Sequence, residues 1–133
     1  MNFKSDNEAP AHPLVLEAIA GANHGTATAY ADDAWSAKLD RAFSERFDTD
    51  CTVLPLATGT AANSITLSAM VPPWVAVMCH QRAHIECDEG GAPEFYTHGA
   101  KLVTLAGDDG KLWPGALALA IDAAGAHGVH NVK

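Results

Sequence analysis

The stretch Val53-Leu54-Pro55-Leu56-Ala57-Thr58-Gly59-Thr60-Ala61-Ala62-Asn63 constrains the fold more than any other part of this chain. β-Branched and aliphatic residues ahead of Pro55 favour an extended segment, and Thr58 is placed to cap a helix opened by Gly59 and Thr60. The pattern predicts a strand over Cys51 to Leu56, a tight corner, and a helix from Gly59 to about Val71, stopped by Pro72-Pro73. The first N–H groups of such a helix lack intrahelical acceptors and point out of its positive end. That makes the corner a candidate anion seat, suited to a phosphate held by main-chain amides and the Thr60 hydroxyl. Small residues at Gly59, Ala61 and Ala62 let a ligand come close. The same residues also suit a joint that only packs. Neither the P-loop ending nor the Rossmann glycine triplet is present, so a nucleotide is not the first ligand to consider.

Around this corner the chain alternates between helical and extended patterns. Phe3 to His12 is polar and reads as an arm leading to a helix from Pro13 to about Ala22, with Leu14 and Ile19 on its buried side and Gly25 as a left-handed stop. A second helix is expected from about Asp33 to Phe47, where Leu39, Phe43 and Phe47 fall four apart. Trp74 to Cys79 and Lys101 to Leu105 read as strands. Asp108-Asp109-Gly110-Lys111 reads as a turn, and Trp113-Pro114 introduces an Ala/Leu-rich helix to about Ala124. This alternation predicts an α/β unit with a mostly parallel sheet flanked by helices.

With 133 residues the chain fits one modest domain. Its formal net charge of −8 argues against nucleic acid and against an anionic membrane as partners. No apolar run approaches the roughly 20 residues of a bilayer span, and the first residues lack a signal-peptide core. A cytoplasmic location is the expectation. Cys51, Cys79 and Cys87 form no Cys-x-x-Cys array and read as free thiols.

The segment from His80 to Gly91 is dense in titratable residues. His80 and His84 would share a helical face, but the nearby glycines and Pro93 weaken a helix, and no second cluster completes a ligand set. No metal site is expected. The His84-Ile85-Glu86 triplet lacks the downstream Pro-Cys-x-x-Cys of zinc deaminases, and no Gly-x-Ser-x-Gly elbow supports a serine hydrolase. His12, His24, His98, His127 and His130 read as surface or structural residues. An imidazole just past a buried strand, beside an anion corner, suggests instead a planar cofactor with an anionic tail, near strand ends where α/β proteins bind ligands. Pyridoxal phosphate combines these features.

Four motifs in order strengthen that reading: Ser5-Asp6-Asn7, Tyr30-Ala31-Asp32-Asp33, Thr58-Gly59-Thr60-Ala61-Ala62-Asn63, and Ala83-His84 followed by Glu89-Gly90-Gly91. Over nearly its whole length the chain resembles low-specificity L-threonine aldolases, of the β-eliminating lyase group of pyridoxal-phosphate enzymes. The resemblance implies the N-terminal part of the large domain of an aspartate-aminotransferase-like (type I) fold. It implies that Gly59 and Thr60 bind the cofactor phosphate and that His84 stacks on the cofactor ring as a catalytic-site residue. It further implies that Ser5 helps bind the substrate carboxylate, and that Tyr30 lines an active site shared between subunits of a homodimer or homotetramer. Ala31 stands where the family has glycine, and Glu89 matches the acid that follows the stacking histidine. The implied reaction cleaves the Cα–Cβ bond of threonine or a related β-hydroxy amino acid, giving glycine and an aldehyde. The family's Schiff-base lysine matches none of Lys4, Lys38, Lys101, Lys111 or Lys133. The chain is therefore expected to be an incomplete cofactor-binding domain, lacking the C-terminal remainder and nearly inactive alone. A non-catalytic α/β scaffold for association stays open beside the lyase. Convergence of His84 with the Gly59-Thr60 corner would favour the lyase.

Overall fold

The computed structural model describes residues 8–127 and 131–132. The chain divides into two compact units, one ending at Leu54 and the other beginning at Pro55.

In the first unit, helix α1 spans Pro13–Ala22. Its start is fixed by proline, which has no N–H to satisfy, and by His12, whose Nδ1 accepts from the Leu14 N–H at 3.2 Å. Asn23 caps the other end, and the chain turns at Gly25 with φ +67°. The expected buried side is exposed: Leu14 and Ile19 are 66% and 60% accessible. Asp33 opens the next segment by accepting from the Trp35 and Ser36 N–H groups at 2.8 and 2.9 Å and from the Ser36 hydroxyl. The Ser36 hydroxyl, followed by these amides, holds the Asp33 carboxyl below its ordinary pKa. A single 3-10 turn at Ser36–Lys38 leads into α2, Leu39–Phe47, along which the Phe43 and Phe47 rings lie 6.0 Å apart.

The strand expected over Cys51 to Leu56 does not form. Two of its backbone donors go to side chains of α2: the Cys51 N–H donates to Ser44 Oγ at 2.9 Å and the Val53 N–H to Asp40 Oδ1 at 2.8 Å. Pro55 has no N–H to offer. The segment joins no ladder among the described residues.

The second unit begins with α3, Gly59–Met70, capped by Thr58 Oγ1, which accepts from the Ala61 N–H at 3.1 Å. Val71 and the proline pair end the helix, and the chain turns directly into β1, Val75–His80. The short helices α4, His84–Cys87, and α5, Ala92–Tyr96, lead to β2, Lys101–Leu105. Helix α6, Pro114–His127, leads to β3, Asn131–Val132. The sheet is parallel in the order β2-β1-β3, with Ala76 opposite Lys101, His80 opposite Leu105, and Val75 opposite Asn131. As the central strand, β1 is the most apolar, and Val75, Ala76 and Cys79 form the core with Ala100. α3 packs on α5, with Ser64 and Pro93 fully buried. The parallel α/β architecture read from the sequence is present, and none of the helices among the described residues is long and apolar enough to cross a membrane.

Candidate functional site

β1 ends at His80, and His84 follows it closely in α4. Glu89 hydrogen-bonds both to His84 and to Asn63 in the second turn of α3, so the beginning of α3 lies near the carboxyl end of the central strand, the edge at which parallel sheets bind ligands.

At that end of β1, His80 is buried and locked. Its Nδ1 accepts from the Arg82 N–H at 3.0 Å, so its Nε2 carries the proton and donates to the Gly107 carbonyl at 2.9 Å. A Cβ at Gly107 would overlap the Lys111 carbonyl oxygen, so this acceptor position requires glycine. The Ala83 N–H closes a turn on the His80 carbonyl, and His84 begins α4 immediately after it. The His84 imidazole is 64% exposed, but its Nδ1 lies 2.8 Å from Glu89 Oε1.

Glu89 is the hinge of the arrangement. Its side chain is wholly buried, and the oxygen that meets His84 also accepts from Asn63 Nδ2 at 2.6 Å. Asn63 stands four residues after Gly59, on the same face of α3 as the helix opening. One carboxylate oxygen thus ties the opening of α3 to the imidazole. Glu89 Oε2 is buried with no hydrogen-bond partner among the described residues, so every bond this carboxylate makes there runs through Oε1. Gly90 and Gly91, at φ +59° and +78°, let the chain reverse so that Glu89 points back toward α3.

The opening of α3 carries free donors. Thr58 Oγ1 takes the Ala61 N–H and the Thr58 carbonyl takes the Ala62 N–H, which leaves the Gly59 and Thr60 amides without acceptors among the described residues. Apart from its chain neighbours and the backbone of its own helix, nothing lies within 4 Å of where a Cβ on Gly59 would stand. The two unpaired amides at the positive end of the helix dipole, beside the Thr60 side chain, make this corner a candidate anion seat. The structure links His84 through Glu89 to Asn63, which stands about one helical turn along α3 from Gly59 and Thr60. Asn63 lay inside a motif legible in the sequence, but nothing in its neighbours pointed to Glu89. Tyr30 belongs to the first unit, fully exposed, with both it and Ala31 at φ +64°. Ser5 lies outside the described residues. An apolar hollow of about 380 Å³, lined by Leu67, Met70, Val71, Val77, Met78, Leu117 and Ile121, offers no titratable side chain.

The sequence model of the beta-eliminating lyases matches residues 2–133. The chain belongs to the beta-eliminating lyase family. It is 44% identical over 115 residues to the low specificity L-threonine aldolase of a Pseudomonas species and 43% identical to that of Pseudomonas aeruginosa. These alignments cover 86% of this chain and 33% of each relative, so the chain spans about a third of the length of the curated lyases it matches. A solved structure of Leishmania major threonine aldolase superposes with a TM-score of 0.79 at 32% identity, covering 87% of this chain and 34% of that one. The lyase fold expected from the sequence is the fold of this chain.

Proposed function

We propose that this chain carries the phosphate seat and the ring-supporting histidine of a pyridoxal-phosphate-dependent lyase of the threonine aldolase type. Its reaction would cleave the Cα–Cβ bond of threonine or a related β-hydroxy amino acid into glycine and an aldehyde. The residues present fit that cofactor on two counts. The free Gly59 and Thr60 amides and the Thr60 hydroxyl suit a phosphate dianion, and the exposed His84 imidazole, held only by its edge, leaves its face open to a planar ring. The observation that carries the proposal is the single Glu89 oxygen shared by Asn63 and His84, which ties these two features together.

In this reading Gly59 and Thr60 neutralise the phosphate and exclude water from it. His84 holds the ring plane, so that the bond to be broken can stand perpendicular to it. When bound, pyridoxal phosphate would supply the conjugated ring that takes up the electron pair released on cleavage. Ser5 would bind the substrate carboxylate and Tyr30 would line a site shared between subunits of a homodimer or homotetramer. The exposed Leu14, Ile19 and Phe47 support association between subunits. The surroundings would be cytoplasmic.

Calorimetric titration of the chain with pyridoxal phosphate and with pyridoxal tests this proposal. The phosphate ester should bind at least tenfold more tightly, a difference of about 1.4 kcal/mol. Thr60→Glu, which puts a carboxylate into the seat, should remove that preference. Equal binding of the two compounds, or a Thr60→Glu variant that keeps the preference, would contradict it.

A further inference from the structure

His80 and His84 stand one helical turn apart in sequence, yet their surroundings ask for opposite imidazoles. The Arg82 N–H donates to His80 Nδ1, which places the neutral ring's proton on Nε2. At His84 the partner of Nδ1 is an acceptor, Glu89 Oε1, at 2.8 Å. A bare Nδ1 would set one lone pair against another beside a buried carboxylate, so the proton belongs on Nδ1. Asn63 closes off the alternatives. Its amide donates to the same oxygen at 2.6 Å, which fixes the carboxylate and keeps Oε1 an acceptor. The Glu89 side chain is fully buried while the His84 ring is 64% exposed, so a rigid interior group grips one edge of a ring whose other edge meets solvent.

We propose that Asn63 and Glu89 are positioning residues that lock His84 in its Nδ1–H tautomer, leaving Nε2 bare at the exposed edge and the ring plane fixed. The use of that fixed plane against a planar cofactor rests on the function proposed above; the lock itself stands on the geometry of the chain alone. Glu89→Leu removes the acceptor, and Glu89→Gln keeps an amide oxygen able to accept from both neighbours. Asn63→Ala frees the carboxylate to swing without removing it.

Long-range proton–nitrogen correlation spectra of the 15N-labelled chain, recorded at about pH 8 where an ordinary imidazole is neutral, report which ring nitrogen carries the proton. His84 should show the Nδ1–H pattern and His80 the Nε2–H pattern. Glu89→Leu should shift His84 to predominantly Nε2–H with His80 unchanged, Asn63→Ala should give a mixture, and Glu89→Gln should retain Nδ1–H. An Nε2–H pattern for wild-type His84, or an unchanged His84 in Glu89→Leu with His80 intact, overturns the proposal. Loss of the His80 pattern in Glu89→Leu would mean lost folding. The wild-type and Glu89→Gln spectra then decide: Nδ1–H in both supports the lock and Nε2–H in either overturns it. No cofactor is present in these spectra, so the lock can fail while phosphate-dependent binding succeeds, and the reverse.

Discussion

Val75 on β1 is 1% exposed, whereas Phe47 on α2 is 63% exposed, although both are large apolar residues on regular elements. The contrast extends to the units that hold them. Residues 8–54 contain no buried side chain, while the second unit buries Val75, Ala76, Cys79 and Ala100 around a parallel sheet, together with the polar Ser64, His80, Glu89 and Thr97. Helix α1 is capped by His12, and the Asp33 turn and the 3-10 turn after it lead the chain into α2, so local signals suffice to start them. Caps contribute about 1 kcal/mol each, and short helices owe most of their stability to what covers their apolar face. The first unit therefore depends on a covering surface, whereas the second holds its candidate site on a core of its own.

The sharpest way to break this comparison is to truncate one large side chain in each unit. Val75→Ala should destabilise the second unit by about 2 kcal/mol, measured by urea unfolding. Phe47→Ala should change stability by about 0.5 kcal/mol or less. Equal losses would mean that the first unit has a core after all. Next in size, Thr58→Ala removes the cap of α3 and should cost about 1 kcal/mol.

A smaller effect follows from Cys79, whose thiol is pushed above its ordinary pKa, first by burial and then by Glu86, Cys87 and Glu94. Its folded form holds the proton longer than the unfolded chain does. The contribution to stability is thus fully present below about pH 8.5 and is lost as pH rises toward the raised folded value. Cys79→Ala should flatten that alkaline decline in a pH series of melting curves; an undiminished decline in this variant would assign it to other groups. The smallest effect belongs to the first unit. Tyr30 and Ala31 are both left-handed at φ +64°, and Ala31→Gly should stabilise by about 0.5 kcal/mol, as relief of strain slightly exceeds the added freedom of the unfolded chain. A loss of stability would show that the observed φ is not strained.

Helices α1, α3 and α6 and the α3 cap were legible in sequence because capping and proline chemistry act within a few residues: Thr58 and Pro72-Pro73 bound α3 as their positions implied. The short α4 and α5 were not, since the glycines and Pro93 around them argue locally against a helix. Lys101–Leu105 was legible for a similar reason, as a short apolar run between turn residues. Cys51 to Leu56 has the same local character but forms no strand, because ladder partners are a tertiary property and the Asp40 and Ser44 side chains took two of its donors. Exposure of Leu14 and Ile19 was equally hidden, since periodicity shows which face is apolar and not what covers it. At the site, Gly59, Thr60 and His84 were legible as residue types suited to an anion and a flat ring. The tie from Asn63 to Glu89 spans 26 positions and depends on two left-handed glycines bringing the chain back, which no local pattern encodes.

Backbone amide and imidazole shifts followed by NMR during addition of pyridoxal phosphate test the central claim, that one corner of the second unit holds both an anion seat and a ring support. The largest changes should fall at the Gly59 and Thr60 amides and on the His84 ring, with Val75 and the helices of the first unit unmoved. Changes at Gly59 and Thr60 with a silent His84 ring, or changes centred elsewhere, would contradict it.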